Sequence, residues 1–283
     1  MTMEVLRVQG LCKHYPEFEL KNVSFEMQSG TIMGFVGRNG AGKSTTLKSL
    51  LNFVHPSAGH VEFFGQEFSA NEAAIKDRIS FTFGGVNFYL KRRMKTITEV
   101  YRRFFPTCWD GSAYRDYLDR FELNEDKRLD DLSTGMRVKY ALALSLSHGA
   151  QLLLFDEPTS GLDPVSRDDL LDVFRDVVAD GKTSLLFSTQ IMTDLEKCAD
   201  TVTYIKKGQI LASTTLDQFL DSYRLIEGEV SDLSPELRGR AIGLRVRQSS
   251  FEALLATADV PAFPGLSIEP ASLESIMIHI ERS

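Results

Sequence analysis

Short apolar runs alternate along this chain with segments in which apolar residues recur every three or four positions. The first pattern fits strands and the second fits helices that bury one face. Runs at Val5–Val8, Ser24–Met27, Ile32–Val36, Val61–Phe64 and Ile79–Phe83 predict strands. Gln151–Phe155 is shorter and more uniformly apolar, as expected of a strand buried on both faces, and Leu185–Ser188 and Val202–Ile205 repeat it. Helical spacing predicts helices over Lys43–Asn52, Met136–Ser147 and Ser166–Ala179, the last with Asp163–Pro164 as its start signal. This β-α alternation predicts an α/β layer fold around a central sheet.

Two segments depart from the alternation. Residues from about 86 to 148 are rich in helix formers and carry repeated aromatics (Tyr101, Phe104, Phe105, Tyr114, Tyr117, Phe121). A mostly helical insertion is expected there, with Trp109 and its aromatic neighbours as core. From about 221 to 283 the chain offers two strand-like pieces, near Leu244–Val246 and Leu266–Ile268, and a final helix around Leu273–Ile280. So short a segment buries little core alone, so it is expected to pack on the main domain or on another chain. There is no internal repeat.

Composition narrows the function. The chain of 283 residues is 43% hydrophobic and 25% charged, which excludes a disordered or fibrous protein. Its formal net charge of −7 argues against a nucleic-acid binder that works through bulk positive charge. No apolar run reaches the ~20 residues that span a bilayer, and the longest candidate, Ala141–Phe155, is interrupted by His148 and Gln151. The N-terminus shows no apolar signal core. Cys12, Cys108 and Cys198 are scattered, which reads as reduced thiols in the cytoplasm rather than disulfides or a zinc site. His55 and His148 lack metal-ligand companions and read as structural.

The chemistry lies in two places. Gly37-Arg-Asn39-Gly40-Ala41-Gly42-Lys43-Ser44-Thr45 fits G-x-x-x-x-G-K-[ST] and sits between an expected strand and an expected helix. The glycines let the backbone curl so that several N–H groups face one anion, and the following helix aims its N-terminus at it. Lys43 supplies positive charge for the β- and γ-phosphates of a nucleotide, and Ser44 offers a hydroxyl oxygen to Mg²⁺. Gln151–Phe155 then carries Asp156 and Glu157 to a strand's C-terminal end, where open α/β sheets bind ligands. Asp156 is a candidate Mg²⁺ holder, and Glu157 is a candidate base that polarises water for attack on the γ-phosphate.

Between these motifs lies Leu132-Ser133-Thr134-Gly135-Met136-Arg137, and after them Pro158-Thr-Ser160-Gly-Leu-Asp163. This order resembles the ATPase subunits of ABC transporters. Leu132–Met136 is similar to that family's signature sequence, Ser160–Asp163 to its D-loop, and Tyr15 to the aromatic that stacks on adenine. The resemblance runs from about residue 4 to 220, and Pro270–Met277 in the tail resembles exporter ATPases of the bacitracin-resistance type. It implies a P-loop NTPase (RecA-like) α/β core over 1–220, an inserted α-helical subdomain over about 86–148, and a small C-terminal α+β extension over 221–283. It also implies ATP and Mg²⁺ as cofactors, a separate transmembrane permease, and a second ATPase subunit bound head to tail. Ser133 and Gly135 would then complete the ATP site of that second subunit, with Asp163 beside it. The protein would lie in the cytoplasm, on the inner face of the membrane.

The sequence departs from the family at three places. Gly84 stands where the family has Gln, Gln190 where it has His, and Thr134 and Met136 alter the signature. ATP binding with slow hydrolysis is the expectation, since Gln190 donates a hydrogen bond but carries no charge. The basic cluster Lys91, Arg92, Arg93 and Lys95 reads either as a solvated face or as part of the surface that grips a membrane subunit. Phe88, Tyr89 and Leu90, next to Gly84-Gly85, are the expected anchors for that subunit. The rival reading is a soluble ABC ATPase outside transport. A kinase or GTPase would leave Leu132–Met136 unexplained.

Overall fold

The computed structural model describes residues 3–83, 89–263 and 265–283. Gly84, Gly85 and Phe88, singled out above, lie outside the described residues. The chain divides into two units, one of Met1–Gln190 with Cys198–Ser213 and one of Ile191–Lys197 with Thr214–Ser283.

Among the described residues the larger unit holds β1 (Glu4–His14), β2 (Glu19–Gln28), β3 (Ile32–Val36), β4 (Ala58–Phe63), β5 (Gln66–Glu67), β6 (Ile79–Thr82), β7 (Leu152–Asp156), β8 (Ser184–Thr189), β9 (Thr201–Lys206) and most of β10 (Gln209–Thr215). They form a six-stranded sheet in the order β10-β9-β3-β8-β7-β6 and a four-stranded sheet in the order β2-β1-β4-β5. Every residue of β3, β7 and β8 is buried, as their apolar runs require in a sheet covered on both faces. Parallel pairing sets Val36 beside Thr189 and Asp156 beside Ser188, so the C-terminal ends of these three strands lie together. One apolar core, including Leu6, Phe35, Leu47, Phe63, Leu152 and Leu186, serves both sheets and the first helix.

The helices are α1 (Lys43–Leu50), α2 (Phe68–Lys76), α3 (Met94–Arg102), α4 (Gly111–Arg120), α5 (Thr134–Ser147) and α6 (Pro164–Val178). Helices α3, α4 and α5 fill the stretch between β6 and β7 and are tied by a buried hydroxyl relay. Tyr140 donates to the Met94 carbonyl at 2.9 Å, so Thr98 donates to Tyr140 at 2.9 Å and Tyr114 donates to Thr98 at 2.7 Å. Nearby, Phe105 stacks on His148 at 3.9 Å, and burial lowers the pKa of that imidazole, which keeps it neutral. Phe104 departs from the expected aromatic core, being 72% exposed.

The smaller unit contains α7 (Met192–Cys198), α8 (Leu216–Asp221), β11 (Tyr223–Glu229), α9 (Pro235–Arg240), β12 (Ile242–Val246), β13 (Ser250–Ala256), β14 (Ser267–Pro270) and α10 (Leu273–Arg282). Its antiparallel sheet runs β12-β13-β11-β14 and has its own core around Ile226, Leu237, Phe251 and Leu255. The sequence pattern predicted two strands here and missed β11 and β13. Arg224, Glu227 and Glu229 break up β11, whereas β13 carries one charge, Glu252, ahead of the apolar Ala253–Ala256. Strand β10 was missed for a related reason, since none of its side chains is fully buried. Lys207 and Gly208 form the two-residue link between β9 and β10 with φ of 47° and 78°, a pair of left-handed residues that suits a tight hairpin.

Candidate functional site

The loop from Gly37 to Gly42 joins β3 to α1, and its glycines are demanded by what surrounds them. A Cβ on Gly37 would collide with the Ile205 carbonyl oxygen. Gly42 caps α1 at φ 115°, and a Cβ there would come within 2.8 Å of Leu20 Cδ2 and 2.9 Å of Phe18 Cζ. The loop is held by Ala41 N donating to the Arg38 carbonyl at 3.1 Å and Gly208 N donating to the Ala41 carbonyl at 2.9 Å. No side chain caps the N-terminus of α1. Its first N–H groups therefore face the loop, an arrangement suited to an anion.

Lys43 is a buried ammonium, 4% exposed, surrounded by acceptors. Its Nζ donates to the Gly37 carbonyl at 2.7 Å and the Arg38 carbonyl at 3.3 Å, and lies 3.4 Å from Glu157 Oε1. The cation of the first motif and the carboxylate of the second thus meet across one cleft of about 440 Å³. Asn39, Gly40, Gly42, Lys43, Ser44, Thr45 and Glu157 line it, with Gly37 and Ala41 in the same loop. Tyr15 does not line it. Glu17 and Phe18 do, from the same β1–β2 turn, in which Tyr15 N donates to the Phe18 carbonyl at 2.8 Å. The sequence reading missed Phe18, although an aromatic in this turn was the signal.

Asp156 ends β7 and is buried. Its Oδ1 accepts from Ser188 Oγ at 2.5 Å. Glu157 follows with φ 50°, a left-handed backbone uncommon for a glutamate. Its N–H donates to the Ser188 carbonyl at 3.1 Å and to Ser188 Oγ at 3.0 Å. Gln190 follows β8 at an exposed position and does not line the cleft.

The remaining sequence-predicted residues gather elsewhere. Ser133 caps α5, its Oγ accepting from Met136 N at 3.2 Å. The helix starts at Thr134, two residues before the expected start, which puts Gly135 in its first turn. A Cβ on Gly135 would lie 3.6 Å from Leu162 Cδ2, so the start of α5 packs against the residue that precedes Asp163. Asp163 caps α6 by accepting from Val165 N at 3.1 Å and Ser166 N at 3.0 Å, with Pro164 in the first helical turn. The Ser166 hydroxyl and these amides hold its carboxyl below the usual carboxylate range. Ser133, Gly135 and Asp163 do not line the phosphate-loop cleft of their own chain.

At the helical segment, Tyr89 is 68% exposed and Leu90 half-buried. Two members of the basic cluster are paired: Lys95 with Asp126 at 2.6 Å and Arg93 with the same carboxylate at 3.7 Å. None of the three cysteines forms a disulfide, and no group of three or more metal-ligating side chains forms among the described residues.

A family model described as ABC transporter matches residues 20–160. A fluoroquinolones export ATP-binding protein of Mycobacterium tuberculosis is 32% identical over 270 residues, covering 92% of this chain and 84% of the relative. This chain belongs to the ABC transporter family of ATP-binding proteins. The bacitracin transport ATP-binding protein BcrA of Bacillus licheniformis is 27% identical over 232 residues, 81% of this chain and 76% of the relative. Among solved structures, CbiO1 of Clostridium perfringens, described as part of the ABC transporter complex CbiONQ, has the same fold. It superposes with a TM-score of 0.67 at 20% identity, over 77% of this chain and 90% of CbiO1. ATP-binding proteins of this family bind ATP, and Gly37–Thr45, most of which lines the cleft, keeps the glycine and lysine spacing of a phosphate loop.

Proposed function

We propose that this chain is the ATP-hydrolysing subunit of an exporter, acting through a separate membrane permease and as an ATP-dependent head-to-tail dimer. The observation that carries the hydrolytic part is the convergence of Lys43 and Glu157 at 3.4 Å across the phosphate-loop cleft. The loop amides and Lys43 neutralise the phosphates as charge develops on the γ-phosphoryl oxygens. Glu157 accepts a proton from the attacking water. Export is supported by the fluoroquinolones export relative.

The donors fit Mg²⁺: Ser44 and Asp156 offer hard oxygens, and this ion takes only one or two protein ligands beside substrate phosphates and water. Held by these two residues, the ion would supply positive charge against the charge that develops on the phosphates during attack. The separation of Ser133, Gly135 and Asp163 from their own cleft supports their service to a partner's ATP. The start of α5, capped by a neutral serine, leaves N–H groups for a second phosphate.

The described residues hold no helix long and apolar enough to cross a membrane; we propose that the chain binds a permease peripherally on the inner face. Tyr89, exposed beside the helical segment, supports docking there. Gln190 does not line the cleft as it stands; we propose that, once brought to the γ-phosphate, its neutral amide makes turnover slow.

Glu157→Gln tests the reading. It should retain ATP, abolish hydrolysis, and accumulate a dimer on gel filtration with ATP and Mg²⁺. A variant that hydrolyses ATP like wild type removes Glu157 as the base.

A further inference from the structure

We infer that Ser188 is a positioning residue of the hydrolytic site, a clamp that orients Asp156 and Glu157 through one hydroxyl. The inference rests on the reading of those carboxylates given above. Ser188 is fully buried in β8 and stands opposite Asp156 in the parallel register with β7. Its Oγ donates to Asp156 Oδ1 at 2.5 Å and accepts from Glu157 N at 3.0 Å. A serine hydroxyl owns one proton, so the relay runs one way, from the Glu157 amide through Ser188 to the Asp156 carboxylate.

Each end of the relay meets a need of the site. Asp156 needs a fixed carboxylate plane if one of its oxygens is to serve Mg²⁺, directly or through water, and Ser188 sets that plane by engaging Oδ1. Glu157 needs its left-handed φ of 50° to turn its side chain toward Lys43. L-residues resist that conformation, so it persists where neighbours over-determine it. Here the Glu157 amide is held from two sides by one residue, since the Ser188 carbonyl also accepts from it at 3.1 Å.

The opposite end of β8 supplies the comparison. Ser184 is equally buried, and its Oγ accepts from Gly30 N at 3.0 Å. It joins strand to turn at the N-terminal end of β8, opposite the end that carries Ser188. Loss of the Ser184 hydroxyl removes one hydrogen bond and loss of the Ser188 hydroxyl removes two, and only Ser188 engages the Asp156 carboxylate and the Glu157 amide.

The test uses the full chain with Ser188→Ala, Ser188→Thr and Ser184→Ala, assayed for ATPase rate and for binding of a fluorescent ATP analogue in EDTA and in Mg²⁺. Groups that orient a metal-binding carboxylate typically contribute about 10–100-fold to affinity or activity. Ser188→Ala should therefore lose roughly 10-fold or more in kcat. Its binding in EDTA should match wild type, while the gain in affinity on adding Mg²⁺ shrinks. Ser188→Thr should recover rate and Mg²⁺ response, and Ser184→Ala should keep both. A Ser188→Ala rate close to wild type overturns the clamp, as does a folded Ser188→Thr as slow as Ser188→Ala, or an equal loss in Ser184→Ala. If Glu157→Gln is inactive while Ser188→Ala is active, the clamp falls alone. If Glu157→Gln is as active as wild type, the carboxylate reading falls and takes the clamp with it.

Discussion

Replacing Glu157 by glycine and by alanine isolates the backbone strain stored at the end of β7. Both substitutions remove the carboxylate and its 3.4 Å approach to Lys43, so that loss is common to the pair. They differ in the backbone. Glu157 has φ 50°, where an L-residue pays roughly 1–2 kcal/mol and glycine nothing. Against this, glycine loses about 0.4–1 kcal/mol through its freer unfolded chain. The balance favours Glu157→Gly over Glu157→Ala by about 0.5–1 kcal/mol. In a regular helix or strand the order is reversed by a similar amount, so the sign itself is the test. For a domain of about 150–250 residues the difference corresponds to a Tm roughly 1–4 °C higher for the glycine variant. Thermal melts of the two full-length variants without nucleotide measure it, and the smaller unit contributes equally to both. Neither variant should hydrolyse ATP. A Glu157→Ala protein that melts at or above Glu157→Gly would refute the argument that Glu157 is held in a strained, functional conformation.

Two further outcomes follow from the same site. Lys43→Ala removes the ammonium that three acceptors now surround, and ATP affinity should fall by roughly 10–100-fold, the equivalent of one charge-assisted contact of about 1.5–3 kcal/mol. Calorimetric titration checks this, and unchanged affinity would sink the assignment of the loop. Gln190→His should raise turnover several-fold without tightening ATP binding, because a charge-assisted hydrogen bond to the γ-phosphate exceeds a neutral one by about 1–2 kcal/mol. A rate at or below wild type would place any slowness in the altered signature or in the absent permease.

Much of the site was legible because its chemistry is local. The phosphate loop needs glycines at fixed spacing, and its context of strand before and helix after can be read from periodicity. The Asp156-Glu157 pair could be placed at a strand end because the run before it has no polar residue after Gln151. Phe18 and Ser188 were not legible in the same way. Phe18 lines the cleft from the β1–β2 turn, in which backbone hydrogen bonds join it to Tyr15. Ser188 looked like one more buried strand residue, and its contact with Asp156 depends on the register between β7 and β8.

The sequence alone determined the β-α alternation, the order of the nucleotide motifs and the family, because apolar periodicity and loop glycines are properties of neighbouring residues. It also marked the start of α6 through Asp163, since a cap acts only on the turn that follows it. Only the tertiary structure decided what meets what. Strand pairing brought Lys43 to Glu157 and Ser188 to Asp156, although more than thirty residues separate the partners of each pair. It also supplied the strands β10, β11 and β13. The half-polar patterns of β10 and β11 carry little signal until a neighbouring strand takes up their backbone hydrogen bonds, and the short apolar run of β13 reads as a strand only once β11 and β12 pair with it.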